Sequence, residues 1–293
     1  KTLVIFDEVQ LCERALTSLK YFCEEAPDYH VVAAGSLLGL AVNRDRYSFP
    51  VGKVDMITMY PLDMEEFMLA LGEEELVMRI RDCFLKDQPM PAALHDIALT
   101  LWRQYLVVGG MPEAVLHFAE TKDFLLIRNI QETILIGYLN DMSKYNNENE
   151  DKKTRLVYDS ISVQLSKKNT RFQYKIVKKG GRAAEFENAI EWLRLSGIAS
   201  QVFRVEQIKK PLENYRDMNS FKIYYSDLGL LSAKKQLIAE DILYLTEDLN
   251  DFKGGLCENY VQIQLAIHGY STCYWESNRE AEVDFVIQRE GKL

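Results

Sequence analysis

Leu3-Val4-Ile5-Phe6-Asp7-Glu8-Val9-Gln10 sets four apolar residues directly before two adjacent acids. A consecutive apolar run is apolar on both faces of an extended chain, which predicts a short, fully buried strand over residues 2–6. From Leu11 the pattern changes. Leu11, Ala15, Leu19, Phe22 and Cys23 recur at helical spacing until Pro27-Asp28 breaks it. His30-Val31-Val32-Ala33-Ala34 then reads as a second buried strand, ending at Gly35-Ser36. Strand, helix and strand in this order predict an α/β sheet of parallel type.

Downstream, residues 53–60 read as a third strand closed by Pro61, and 65–71, 74–85 and 92–106 as helices. Gly109-Gly110-Met111-Pro112 is a sharp break, with Pro112 suited to the first turn of the next helix. Residues 123–140 form an amphipathic helix, and the polar stretch 143–153 reads as an exposed loop or linker. Helices over 155–165 and 183–195 flank a basic loop, 166–180, and strands follow near 198–205 and 221–225. Asp227-Leu228-Gly229-Leu230-Leu231 is helix-like. Helix, basic turn, helix and two strands suggest a winged-helix module. The remainder gives a helix over 258–267, strands over 272–276 and 281–288, and a turn at Arg289-Glu290-Gly291-Lys292.

The 293 residues are 47% hydrophobic and 27% charged, an ordinary globular composition in which two to three domains are expected. Thirty-five Lys and Arg against 44 Asp and Glu give a net charge of −9, which excludes a uniformly basic nucleic-acid coat but not a locally basic face. No apolar run approaches the ~18 residues of a membrane span. Five scattered cysteines and four dispersed histidines form neither a disulfide framework nor a zinc knuckle, so a reducing cytoplasm is the expected location. Lys1 opens onto a hydrophobic strand without the features of a signal peptide, which reads as a fragment cut within a domain.

Acids at the carboxyl end of a parallel strand lie where open α/β sheets bind ligands. In nucleotide hydrolases the first acid holds the water shell of Mg²⁺ and the next polarises the attacking water. Taken alone, such a pair also fits a strand ending in solvent. Ala33-Ala34-Gly35-Ser36 adds a hydroxyl at the end of the neighbouring strand, suited to sensing a γ-phosphate, although Ser36 is equally a helix N-cap candidate.

Leu3 to Gln10, Ala34-Gly35-Ser36, Tyr60-Pro61-Leu62 with Glu65-Glu66-Phe67, and Trp102 to Val115 together resemble a prokaryotic family of AAA-type ATPases. These carry an ATPase core followed by a C-terminal region of unknown function. The resemblance implies a partial P-loop NTPase sheet over 1–62, a helical lid over 63–142, a winged-helix-like domain over 143–235 and a partial restriction-endonuclease-like α/β segment over 236–293, hence a mixed α/β and α+β multidomain chain. It implies ATP and Mg²⁺ as ligands of the intact protein. Asp7 would serve Mg²⁺ and nucleotide, Glu8 water activation, and Gly35 and Ser36 nucleotide contact and sensing. The glycine loop G-x-x-x-x-G-K-[ST] is absent from all 293 residues and is expected upstream of Lys1, so these residues alone are expected to be inactive. Relatives tend to show Gly-Arg where this chain has Gly52-Lys53. Lysine lacks the planar fork that grips phosphate, and Arg44 and Arg46 nearby are equally candidate substitutes or solvated loop charges.

Residues 165–184 carry Lys167, Lys168, Arg171, Lys175, Lys178, Lys179 and Arg182 and no acid, with Phe172 and Tyr174 interleaved. Such charges suit DNA backbone contact. The following helix opposes that reading, because Glu185, Glu187 and Glu191 would repel phosphates. Glu258, Trp275-Glu276 and Glu280 to Phe285 resemble the opening of a restriction-endonuclease-like fold, which implies Glu258 and Asp284 as metal ligands. Glu290-Gly291-Lys292 is discounted as Glu-x-Lys because the glycine favours a turn. The leading expectation is an ATPase that drives C-terminal DNA- or protein-interacting modules, with oligomerisation open and no membrane. Its rivals are a non-catalytic regulator switched by nucleotide and a metal-dependent nuclease.

Overall fold

The computed structural model describes residues 2–38, 52–167, 170–277 and 281–293. The chain divides into two compact units, Lys1–Met59 with Ile190–Ile198, and Tyr60–Ala189 with Ala199–Leu293.

In the first unit, β1 (Leu3–Phe6) leads through a 3-10 turn (Val9–Leu11) into α1 (Glu13–Glu25) and then β2 (His30–Ala33). The strands pair in parallel, Leu3 opposite His30 through Phe6 opposite Ala33. Phe22 on α1 packs against Phe6, ring centroids 6.0 Å apart, so the helix covers one face of the pair. Full burial of the strands does not hold. Leu3 and Ile5 are 58% and 64% exposed, while their neighbours Val4 and Phe6 are half-buried. Apolar residues on both faces need a layer on each side, and among the described residues nothing covers the second. Residues 53–60, expected as a strand, join no ladder among the described residues, and Met56, Ile57 and Met59 are exposed. Apolar composition does not supply the partner N–H and C=O groups that a strand requires.

The second unit begins with α2 (Met64–Ala70), started by a capping box in which Asp63 accepts from the Glu66 N–H at 2.8 Å and Glu66 accepts from the Asp63 N–H at 2.9 Å. α3 (Glu74–Leu85), α4 (Ala92–Val108), α5 (Pro112–Thr121, with Pro112 in its first turn), α6 (Phe124–Tyr145) and α7 (Glu148–Leu165) follow. The expected loop over 143–153 is helical on both sides of a break at Asn146-Asn147. Asn147 caps α7 by accepting from the Glu150 N–H at 3.0 Å. Lys152 with Glu148, Lys153 with Glu150 and Arg155 with Asp151 pair along its first turns. A polar stretch whose charges alternate at i,i+3 and i,i+4 is a solvated helix face as readily as a loop.

α8 (Tyr174–Val177), α9 (Ala183–Leu195), β3 (Ala199–Val205), β4 (Arg216–Tyr225), α10 (Leu228–Lys234), α11 (Ala239–Tyr244), α12 (Asn250–Ile267), β5 (Thr272–Glu276) and β6 (Glu282–Ile287) complete the chain. The four strands form one sheet in the order β4-β3-β5-β6, with β3 antiparallel to β4 and parallel to β5, and β5 antiparallel to β6. β3 and β4 were expected as the two-stranded wing of a winged-helix module. In the structure β3 is hydrogen-bonded on both edges, to β4 and to β5, within one four-stranded sheet. Val205, Leu212, Cys273 and Val286 form a core on it, flanked by Tyr215 and Trp275. Glu290 (φ 48°) and Gly291 (φ 72°) form the tight turn read at 289–292, closed by the Arg289–Lys292 bridge. All five cysteines are free. Among the described residues no helix is long and apolar enough to cross a membrane.

Candidate functional site

Because β1 and β2 are parallel and in register, the residues that follow them reach the same edge. Asp7 and Glu8 leave β1 directly, and Gly35 and Ser36 leave β2 after Ala34. The Ala34 N–H donates to the Phe6 carbonyl at 2.8 Å and the Val9 N–H donates to the Ala34 carbonyl at 3.0 Å, which ties the turn after β1 to the end of β2. Glu8 occupies the left-handed region at φ 49°, ψ 42°, a conformation that disfavours residues with a Cβ and concentrates at functional sites. Its N–H donates to Asp7 Oδ1 at 2.9 Å, which orients the first acid. Both acids are exposed.

Behind them lies Gln10, only 6% exposed, whose Nε2 donates to Glu8 Oε2. A Cβ on Gly35 would stand 2.2 Å from Gln10 Oε1, so a larger residue there would push this carboxamide from its place. Among the described residues no group of three or more His, Cys, Asp or Glu is placed to hold a metal. Lys53 is paired with Glu24 at 3.1 Å, and Arg44 and Arg46 lie outside the described residues.

In the second unit three sequence motifs meet at a fully buried carboxylate, Asp227. It caps α10 by accepting from the Leu230 N–H at 2.8 Å and accepts from the Gly110 N–H at 2.7 Å. The Gly110 carbonyl accepts from the Leu62 N–H at 2.7 Å, and the Tyr105 hydroxyl donates to the Leu62 carbonyl at 2.7 Å. Gln131 Nε2 donates to the carbonyls of Val107 and Val108 at 2.8 and 3.0 Å. A Cβ on Gly110 would meet the Leu62 carbonyl at 2.0 Å, and one on Gly229 would meet the Val108 carbonyl at 2.2 Å, so both glycines are demanded by close backbone approach. Burial pushes the Asp227 carboxyl up to about 6, against the lowering effect of the backbone N–H donors.

Glu258 on α12 and Asp284 on β6 do come together, around an ammonium from β4. Lys222 is 1% exposed. Its Nζ donates to Glu258 and Glu282 at 2.7 Å each and to Asp284 at 3.3 Å. Glu258 also accepts from the Tyr224 hydroxyl at 2.6 Å. Burial alone would lower the Lys222 pKa, but Glu258 and Glu282 outweigh it and raise it above the ordinary lysine range. Burial together with Glu258 likewise raises Tyr224.

In the basic stretch, Lys167, Arg171, Lys175 and Lys179 are exposed, Lys178 is paired with Glu185 at 2.7 Å, and Lys168 lies outside the described residues. The interleaved aromatics are packed rather than offered to bases. Phe172 is buried and stacks on Phe221 at 5.0 Å, with Tyr174 edge-on at 5.1 Å. On α9, Glu187 and Glu191 are exposed, and Glu191 is gripped by Arg194.

Sequence reasoning gave no role to Gln10, Lys222 or Asp227. Each left a signal: a glutamine two residues past an acid, a lysine inside Phe221-Lys222-Ile223-Tyr224-Tyr225, and an aspartate opening an apolar helix.

Residues 1–68 match the family of the AAA domain, and residues 99–241 match a domain of unknown function, DUF8612. Among solved structures the chain is similar to the Walker-type ATPase of Pyrococcus abyssi, at 13% identity and a TM-score of 0.49, over 80% of this chain. The chain spans 63% of that ATPase's length. No curated protein matches. The AAA match falls on the segment that carries the β1–β2 edge.

Proposed function

We propose that Asp7, Glu8, Gly35 and Ser36 form the catalytic edge of an AAA-type ATPase, working with a phosphate-binding loop that lies outside these 293 residues. The observation that carries this reading is the convergence of two exposed acids and a Gly-Ser pair on one edge of two in-register parallel strands, inside the segment that matches the AAA domain. Asp7 would hold the water shell of Mg²⁺, a cation that neutralises phosphate charge when bound. Glu8 accepts the proton of the attacking water, and its carboxylate is oriented by the Gln10 carboxamide. The Ser36 hydroxyl is the group that would report the γ-phosphate. The unit built on the β4-β3-β5-β6 sheet is the proposed output module, acting on DNA or protein.

The test is the Glu8→Gln variant of the intact protein, assayed for ATP binding and turnover. Binding retained with turnover reduced about 100-fold or more is the expected result, since general-base catalysis contributes about 10²–10⁴-fold. Turnover at the unaltered rate would remove Glu8 from the chemistry.

A further inference from the structure

We propose that Gln10 is a positioning residue that fixes the Glu8 carboxylate, and that Gly35 is glycine so that Gln10 can do so. The inference rests on the ATPase reading above and deepens it.

Three features of the first unit point the same way. The Gln10 side chain is buried and, among the described residues, its one hydrogen bond is the donation from Nε2 to Glu8 Oε2. Its Oε1 is buried without a partner among the described residues. A buried amide oxygen left unsatisfied is unfavourable and calls for an explanation. The contact with Glu8 supplies one, because an apolar side chain of similar size would fill the space without the orphaned oxygen and without the donor. Finally, the carboxamide lies so close to Gly35 that a single methyl there would displace it. Gly35 is the residue just before the sensor candidate Ser36, so the position of the β2 end and the aim of Glu8 are mechanically linked through one side chain.

The backbone at Glu8 explains why such a restraint matters. The left-handed conformation at Glu8 takes its backbone out of the extended strand geometry of β1. An exposed glutamate explores many rotamers, and a general base must sit within hydrogen-bond reach of its water to act. Nε2 of a buried side chain removes that freedom while leaving Oε1 of Glu8 for the water.

Four variants of the intact protein, followed by ATP turnover across pH and by nucleotide affinity, test this. Gln10→Ala is expected to lower kcat about tenfold or more with KM for ATP unchanged within about twofold, because aim is lost and not binding. Gly35→Ala should reproduce that loss, and the Gln10→Ala/Gly35→Ala double variant should be no worse than either. Gln10→Glu is nearly isosteric and keeps the test open if Gln10→Ala fails to fold. Two carboxylates in contact share one proton at lower pH, which restores a donor to Glu8, and repel once both ionise. This variant should therefore gain turnover as pH falls, relative to the unaltered protein, a profile that a purely structural role would not produce. Unchanged kcat in Gln10→Ala, or a Gln10→Glu profile parallel to the unaltered protein, overturns the proposal while leaving the ATPase reading intact. Normal turnover in Glu8→Gln, measured beside them, overturns the reading beneath it.

Discussion

The chain gathers carboxylates in two places, and the two are built in opposite ways. At the β1–β2 edge, Asp7 and Glu8 are exposed, and among the described residues their hydrogen bonds come from a backbone N–H and one carboxamide, neither charged. Between β4, β6 and α12, Glu258, Glu282 and Asp284 converge on the buried Lys222 ammonium. The first arrangement is the one proposed above to meet a ligand. The second carries its own cation, and Glu258 spends two hydrogen bonds on Lys222 and Tyr224. A cluster of acids is thus no guide to a metal until the neighbouring cations are known.

Stability separates the two most sharply. Lys222→Met should destabilise the protein by about 3–5 kcal/mol, because Glu258 would be left partly buried without its counter-charge. Adding Glu258→Gln should recover part of that loss. Denaturant titration of the single and double variants reads both, and a loss under about 1 kcal/mol for Lys222→Met would mean that the ammonium is not closing the cluster.

A third site, the single carboxylate Asp227, sharpens the contrast because it is buried with no cation paired to it among the described residues. Its folded pKa, about 6, lies above the unfolded value of about 3.9. The native state therefore binds the extra proton between these values, and stability falls as pH rises from about 4 to about 6, by about 3 kcal/mol in total. The difference in unfolding free energy between the unaltered protein and Asp227→Asn, measured from pH 4 to pH 7, should change over that window and be flat above it. A flat difference throughout would show that the N–H donors of the 109–111 and 227–230 segments fully offset burial.

The smallest effect belongs to the open edge. Asp7→Asn should change stability by no more than about 0.5 kcal/mol, as for exposed positions generally. A loss above about 2 kcal/mol in the same titration would mean that Asp7 serves the fold rather than a ligand.

How far the sequence disclosed these sites follows from what each depends on. The β1–α1–β2 unit was legible because its apolar runs and helical spacing are local, and the acids sit at the strand end by sequence alone. The helices from Met64 to Thr121 were legible for the same reason, with Pro112 marking the start of one. Residues 53–60 misled because a strand is defined by its partner, which periodicity cannot show. Residues 143–153 misled because polarity was read without the i,i+4 charge pairing that makes a helix of them. Glu258 and Asp284 were named from a motif, but their counter-ion comes from β4, 36 residues before Glu258 and 62 before Asp284. Nothing local in Phe221-Lys222-Ile223 announces where its ammonium goes. Asp227 was hidden likewise, since its N–H donor Gly110 lies 117 residues away.

The central claim, that Asp7 and Glu8 face a magnesium-bound triphosphate, is tested most directly by a crystal structure of the intact protein with Mg²⁺ and a non-hydrolysable ATP analogue. The account predicts the Asp7 carboxylate about 4 Å from the metal, bridged by a coordinated water, with Glu8 turned toward the γ-phosphate. A nucleotide bound elsewhere, with both acids facing bulk solvent, would contradict it.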